Sequence, residues 1–193
     1  MTARYALISL TFMMAVSASA QMPRQDVARR AAIHPVATVA DMRAWLARVP
    51  VTRAFPPDFT ASLRAQASLF AIEMTTAPGC VPCADAWRKL GSFRARYGWQ
   101  VRVLGRDEAL LRSGRLGLPW VGHPVIWVRP LADPTRIVPI AVGTDHDANL
   151  ARNAWLATRM LTGLRPQTGL RAMAKFTGIV GAGAPPPPSP ARH

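Results

Sequence analysis

Hydrophobic and polar positions divide residues 61–165 into short apolar runs and longer segments with helical spacing. Four runs have the length and composition of β-strands: 68–74, 100–104, 125–128 and 136–142. Helical spacing is found in residues 84–97, in 106–113 before Gly114, and in a segment that begins at Asp145 or Asp147 and ends at Gly163. The predicted order is therefore β-α-β-α-β-β-α, which defines an α/β domain.

Less regular segments flank this domain. Residues 21–60 are predicted to form a helical N-terminal extension, whose clearest helix covers 39–48 and ends before Pro50. Residues 166–193 are predicted to form a C-terminal extension and a flexible, Pro-rich tail. Four consecutive prolines within residues 181–190 favour a disordered or polyproline conformation there.

The first twenty residues have the pattern of a secretory signal peptide. Arg4 supplies a positive start, residues 5–16 form an apolar run, and Ala18-Ser19-Ala20 is a small-residue cleavage site. The apolar run is shorter than the roughly 20 residues that a membrane-spanning helix needs. We therefore expect cleavage near Ala20, export to the periplasm, and no stable membrane span in the mature protein.

The net charge of +14 raises the question of nucleic-acid binding. The distribution of the charge argues against it, because the chain has only two lysines and its arginines are spread along its length without a dense block. We expect no nucleic-acid partner, while an acidic partner or a membrane surface stays open.

Cys80 and Cys83 are the only cysteines of the chain. A disulfide between residues three apart closes almost no loop, so by the chain-entropy model it adds little stability. Zinc is also disfavoured, because a structural site takes four ligands and there is no second cysteine pair. The pair therefore points to redox chemistry.

The position of Cys80 suits a reactive thiolate. A helix predicted to start beside it directs unpaired N–H groups and the positive end of its dipole at the sulfur, which favours the anion. Pro82 fits the first turn, where no backbone donor is needed. We expect Cys80 to be the nucleophile and Cys83, one turn further on, to resolve the mixed disulfide.

Residues 62–163 resemble a thioredoxin-like domain. Three features carry the resemblance: the C-x-x-C motif after a first strand and at a helix start, the β-α-β-α-β-β-α order, and Pro124 immediately before a strand. The resemblance implies a central mixed sheet and a cis peptide at Pro124, which would lie against the redox pair, with His123 contacting substrate. Cys-Val-Pro-Cys also occurs in exported thioredoxin-like reductants of cytochrome maturation.

The chain departs from the thioredoxin pattern at two positions. Gly79 precedes the first cysteine, where the family usually has Trp, which suggests a loop adapted to another client or another potential. The family also has a buried acid on the first strand that handles the proton of the resolving thiol. Glu73 is near that position but seven residues before Cys80, so a proton-relay role and an ordinary solvated carboxylate both stay open.

The resulting functional hypothesis is a periplasmic thiol-disulfide oxidoreductase that needs no bound cofactor or metal. Its partners would be client proteins with thiols or disulfides and a periplasmic redox protein. One alternative is a copper(I) chaperone that uses Cys80, Cys83 and His123, since thiolate and imidazole suit copper(I). Another is a non-enzymatic accessory of a secretion or conjugation apparatus that keeps the fold for binding.

Overall fold

The computed structural model describes residues 32–115, 122–163 and 171–182, which form an α/β structure with a mixed four-stranded sheet. The elements in chain order are β1 (His34–Val36), α1 (Val39–Leu46), α2 (Phe59–Gln66), β2 (Phe70–Met74), α3 (Val81–Tyr97), β3 (Gln100–Val103), α4 (Arg106–Arg115), β4 (Val125–Pro130), β5 (Val138–Val142), α5 (Asp147–Leu161) and β6 (Ile179–Gly181). From β2 to α5 this is the predicted order β-α-β-α-β-β-α. The α/β class with a mixed sheet is therefore confirmed.

The sheet has the strand order β3-β2-β4-β5. Strand β2 is parallel to β3 and antiparallel to β4, and β4 and β5 form an antiparallel hairpin. All five residues of β2 are buried because helices and side chains cover both faces of the sheet. On one face, Phe70, Ile72 and Met74 join the main core, which α2, α3 and α5 complete.

Helix α3 carries the cysteines and has clear end signals. It begins at Val81 with Cys80 as its N-cap, has Pro82 in its first turn, and ends at Gly98 in the left-handed conformation. Its buried face includes Leu90, Phe93 and Tyr97. Trp87 shares their spacing in the sequence but is 45% exposed.

Two predicted helix boundaries are wrong. Gly114 does not end α4, which continues to Arg115. Neither Asp145 nor Asp147 is the N-cap of α5; that position is taken by His146, and Asp147 is the first helical residue. The Asp145 carboxylate instead accepts a hydrogen bond from the His146 N–H, so it lies just outside the helix.

The described part of the predicted N-terminal extension, residues 32–60, contains a helix and also a strand. The predicted helix over 39–48 is found as α1, and β1 precedes it. The predicted signal peptide, residues 1–20, lies outside the described residues. In the parts of the chain that the structure describes, no helix is both long and apolar enough to cross a membrane.

The C-terminal segment 171–182 is packed. Strand β6 pairs in parallel with β1, and the side chains of Met173, Phe176, Ile179 and Val180 are buried. The Ala182 N–H donates to the carbonyl of Val36 at 3.0 Å. The predicted disordered or polyproline conformation is therefore wrong for Gly181, which belongs to a strand; residues 183–193 lie outside the described residues.

Candidate redox site

Cys80 and Cys83 form a disulfide at the start of α3, with their Cα atoms 5.2 Å apart. Cys80 is half-buried, whereas Cys83 is only 3% exposed. The difference arises because Cys80 is the N-cap and Cys83 lies in the first turn, on the face that packs into the protein. Of the two cysteines, Cys80 is therefore the more exposed.

The sulfur of Cys80 lies in an environment that stabilises negative charge. It accepts a hydrogen bond from the Cys83 N–H at 3.2 Å. It is also at the N-terminus of a 17-residue helix, where the partial positive charge of the helix dipole is concentrated. A thiolate formed at Cys80 is therefore favoured, and thiolates are the reactive form in disulfide exchange.

The backbone conformation of the residue before Cys80 favours glycine. Gly79 has φ 68°, in the left-handed region that side-chain-bearing residues rarely adopt. A side-chain-bearing residue such as tryptophan would therefore strain the loop at this position.

The loop before β4 faces Cys80. Its His123–Pro124 peptide bond is cis, the geometry that the resemblance implies. The carbonyl oxygen of His123 lies 3.5 Å from the Cys80 sulfur. The structure thus brings together three of the predicted site residues, Cys80, Cys83 and the backbone of His123, and Pro124 follows directly in the chain.

Thr75, to which no sequence motif points, anchors this loop. Its hydroxyl oxygen accepts from the Val125 N–H at 2.9 Å and lies 2.9 Å from His123 Nδ1. Thr75 directly follows β2 and is buried, so it ties the loop to the central strand. Burial lowers the pKa of His123 below its ordinary value, which favours the neutral imidazole.

Glu73 is fully buried in a cluster of cationic side chains. Its carboxylate accepts hydrogen bonds from Trp127 Nε1 and Arg102 Nη2, each at 2.8 Å, and from Arg129 Nε; Arg112 Nε lies 3.5 Å away. Burial raises the pKa of Glu73, but the hydrogen bonds from Trp127, Arg102 and Arg129 outweigh it and hold the pKa below its ordinary value. Glu73 is thus a charge-paired carboxylate inside the sheet, and not a solvated one.

A second buried polar cluster lies near the start of α3. Lys89 Nζ is 2.6 Å from Asp85 Oδ2, and the Thr144 hydroxyl donates to the same oxygen at 2.6 Å. Burial raises the pKa of Asp85, but hydrogen bonds from Lys89 and Thr144 outweigh it and lower the pKa. Burial raises the pKa of the neighbouring Asp145 to about 6. The i,i+4 spacing of Asp85 and Lys89 on a helix is the sequence signal that could have indicated this ion pair.

A shallow groove of about 510 Å³ lies beside the disulfide. Its wall includes Cys80, Cys83, Trp87 and Val103, and the last two are large apolar residues that are exposed. Strand β6 also lies beside Cys80 and contributes Gly181, whose N–H donates to the His123 carbonyl at 2.8 Å. The disulfide therefore has both an open groove and a backbone wall next to it.

Within the described ranges, no three His, Cys, Asp or Glu side chains are grouped as metal ligands. For copper(I) to bind through Nδ1 of His123, the contact with Thr75 would have to break.

The fold and the site define an α/β protein with a disulfide at a helix N-terminus, next to a cis-proline loop. Comparisons of the chain with protein-family models, with curated proteins and with solved structures found no match.

Proposed function

We propose that this protein is an exported thiol-disulfide oxidoreductase with a thioredoxin-like architecture, which exchanges disulfides with partner proteins in the periplasm. The observation that carries the proposal is the asymmetry of the two sulfurs. Cys80 is half-buried at the N-cap of α3, and Cys83 is buried one turn further on. One sulfur is thus accessible for attack and the other is held where it can resolve an intermediate.

Two further features support the thioredoxin-like architecture. The sheet order β3-β2-β4-β5, with α3 following β2, suits a β-α-β-α-β-β-α domain. The cis peptide before Pro124 stands beside the sulfur, with the His123 carbonyl 3.5 Å from it. The signal-peptide pattern of residues 1–20 supports export.

In the reducing direction, the Cys80 thiolate attacks one sulfur of a client disulfide. A mixed disulfide forms, and the other client sulfur leaves as a thiolate that takes up a proton from solvent. Cys83 loses its thiol proton to solvent, and its thiolate attacks the Cys80 sulfur; this closes the Cys80–Cys83 disulfide and releases the second client thiolate, which takes up a proton from solvent. Two electrons have passed to the client, and a dithiol partner protein restores the reduced state.

The reverse sequence oxidises a client dithiol by the same bond changes. The direction depends on the reduction potential of the pair relative to that of the client and the compartment.

A glutathione redox titration with thiol trapping tests the proposal. The wild type is expected to interconvert between dithiol and disulfide and to catalyse insulin reduction or the refolding of scrambled ribonuclease. Cys83→Ala is expected to accumulate mixed disulfides with clients, because the resolving attack is lost, and Cys80→Ala is expected to form none.

The copper alternative is measured on the same protein. Competition with a copper(I) chelator compares the reduced wild type with His123→Ala. Tight copper(I) binding that depends on His123, without disulfide exchange, would overturn the proposal in favour of a copper chaperone.

A further inference from the structure

Strand β6 is in direct contact with the reactive sulfur. The Gly181 N–H donates to the His123 carbonyl at 2.8 Å, and the same carbonyl oxygen is 3.5 Å from Cys80 Sγ. A methyl group placed on Gly181 would lie 3.0 Å from Cys80 Sγ and 3.3 Å from Cys80 Cβ. Gly181 thus links the C-terminal strand, the cis-proline loop and the sulfur.

Backbone conformation does not explain the glycine at position 181. Other glycines nearby, such as Gly79 and Gly178, have positive φ, but Gly181 does not. Any residue could adopt its backbone angles, so the requirement at this position is the space beside Cys80.

The strand itself cannot move away easily. The N–H of Thr144 donates to the Ile179 carbonyl at 3.2 Å, and the N–H of Gly178 donates to the Val142 carbonyl at 2.8 Å. A side chain on Gly143 would meet the Ile179 backbone at 2.4 Å, so the two backbones are already in close contact. These contacts hold the strand in place, so we expect a larger residue at 181 to crowd the Cys80 side chain.

We propose that Gly181 is a positioning residue of the redox pair, and that β6 is the wall that fixes where the Cys80 sulfur lies in the oxidised protein. This inference rests on the proposed thiol-disulfide exchange. In the disulfide, the Cys80 sulfur is tied to Cys83 and cannot rotate away from position 181. In the dithiol, the sulfur is free to rotate about the Cα–Cβ bond. Crowding at position 181 therefore disfavours the oxidised state selectively.

The test is a glutathione titration of Gly181→Ala, with Gly91→Ala as the matched control. Gly91 lies in α3, and a methyl group there meets nothing within 4 Å. Gly181→Ala is expected to shift the equilibrium toward the dithiol by at least about fivefold, the scale of inserting a methyl into a packed site. Gly91→Ala is expected to stay within about twofold of wild type. An equally small shift for Gly181→Ala would overturn the inference.

A double-mutant cycle keeps the test decisive if Gly181→Ala folds poorly. Cys80→Ala removes the sulfur, so the added methyl no longer has it as a neighbour. Gly181→Ala is expected to reduce the folding equilibrium constant at least about fivefold more in the oxidised wild-type background than in Cys80→Ala. Equal losses in both backgrounds, including a failure to fold in both, would overturn the inference.

The two proposals fail in different ways. A wild type without insulin reduction or ribonuclease refolding activity contradicts the proposed function. A wild type that exchanges disulfides, together with an unshifted Gly181→Ala, contradicts only the role of Gly181.

Discussion

Replacing Glu73 with glutamine separates a structural role from the proton-relay role that its sequence position allows. The carboxylate is fully buried and accepts hydrogen bonds from Arg102, Arg129 and Trp127. The amide removes the negative charge and turns one acceptor into a donor that faces other donors. Arg129, whose side chain is 13% exposed, is then left as a buried cation without its counter-charge, whereas Arg112, whose side chain is 9% exposed, keeps its ion pair with Glu108 at 3.3 Å.

The expected cost is large for a single substitution. Removing one partner of a buried ion pair typically costs about 3–5 kcal/mol. Because Arg102 is 46% exposed and can be solvated, we expect the lower part of that range, about 3 kcal/mol, out of a total stability of about 5–15 kcal/mol. Urea unfolding followed by circular dichroism measures the difference.

Glu108→Gln is the matched control. Its carboxylate contacts Arg102 at 2.7 Å and Arg112 at 3.3 Å, but the Glu108 side chain is 39% exposed and can be solvated. An exposed ion pair contributes about 0–1 kcal/mol. If Glu73→Gln costs no more than Glu108→Gln, the assignment of Glu73 to a buried charge network is refuted.

The pH dependence of stability gives a second test of the role of Glu73. Because its folded pKa is below the ordinary value of 4.5, its stabilising effect is present above that pH and is lost as the pH falls through the folded pKa. The stability gap between wild type and Glu73→Gln is therefore expected to narrow below about pH 4.5. The pH profile of disulfide exchange, measured on folded protein, is expected to be unchanged; a shifted profile would instead support the proton relay.

Three other predictions follow from the site and from β6. In the reduced protein, iodoacetamide is expected to alkylate Cys80 at least about tenfold faster than Cys83, because Cys83 is 3% exposed; equal rates in peptide mapping would remove the asymmetry on which the proposed function depends. A truncation that removes the chain from Ile179 onward is expected to lower the free energy of unfolding, measured in urea, by about 3–6 kcal/mol, because it removes two buried aliphatic side chains and exposes the surface they cover. Truncation after Ala182, which keeps both side chains, is the control. Burial raises the folded pKa of Asp145 from 3.8 to about 6, so its contribution to the free energy of unfolding falls as the pH rises across that window. The stability of Asp145→Asn relative to wild type is therefore expected to increase by on the order of 2–3 kcal/mol between pH 4 and pH 7. A stability difference that does not change with pH would contradict burial of the carboxylate.

Local signals account for the parts of the fold that the sequence predicts correctly. The order from β2 to α5 follows from periodicity and from end signals such as Gly98, which lie within a few residues of the elements they define. The start of α3 beside Cys80 is local in the same way. The exposure of Trp87 does not follow from local signals, because helical spacing indicates which residues share a face without fixing how wide the buried part of that face is.

The environment of Glu73 depends on residues that are distant in the chain. Arg102 comes from β3, Arg112 from α4 and Arg129 from β4, and only the sheet order brings them to one carboxylate. In the sequence these arginines are indistinguishable from the general excess of arginine. Burial of the acid therefore could not be predicted, although its position on a strand could.

Strand β6 shows why the C-terminal part of the site escaped the sequence analysis. Its three residues, Ile179 to Gly181, are too few to show periodicity, and they adjoin a segment whose composition favours disorder. The partner strand β1 lies at the opposite end of the described chain, so no local pattern connects the two. Yet this pairing brings Gly181 against the sulfur of Cys80. A redox motif can therefore be located from its spacing, while the wall that sets the position of its sulfur depends on contacts between the two ends of the fold.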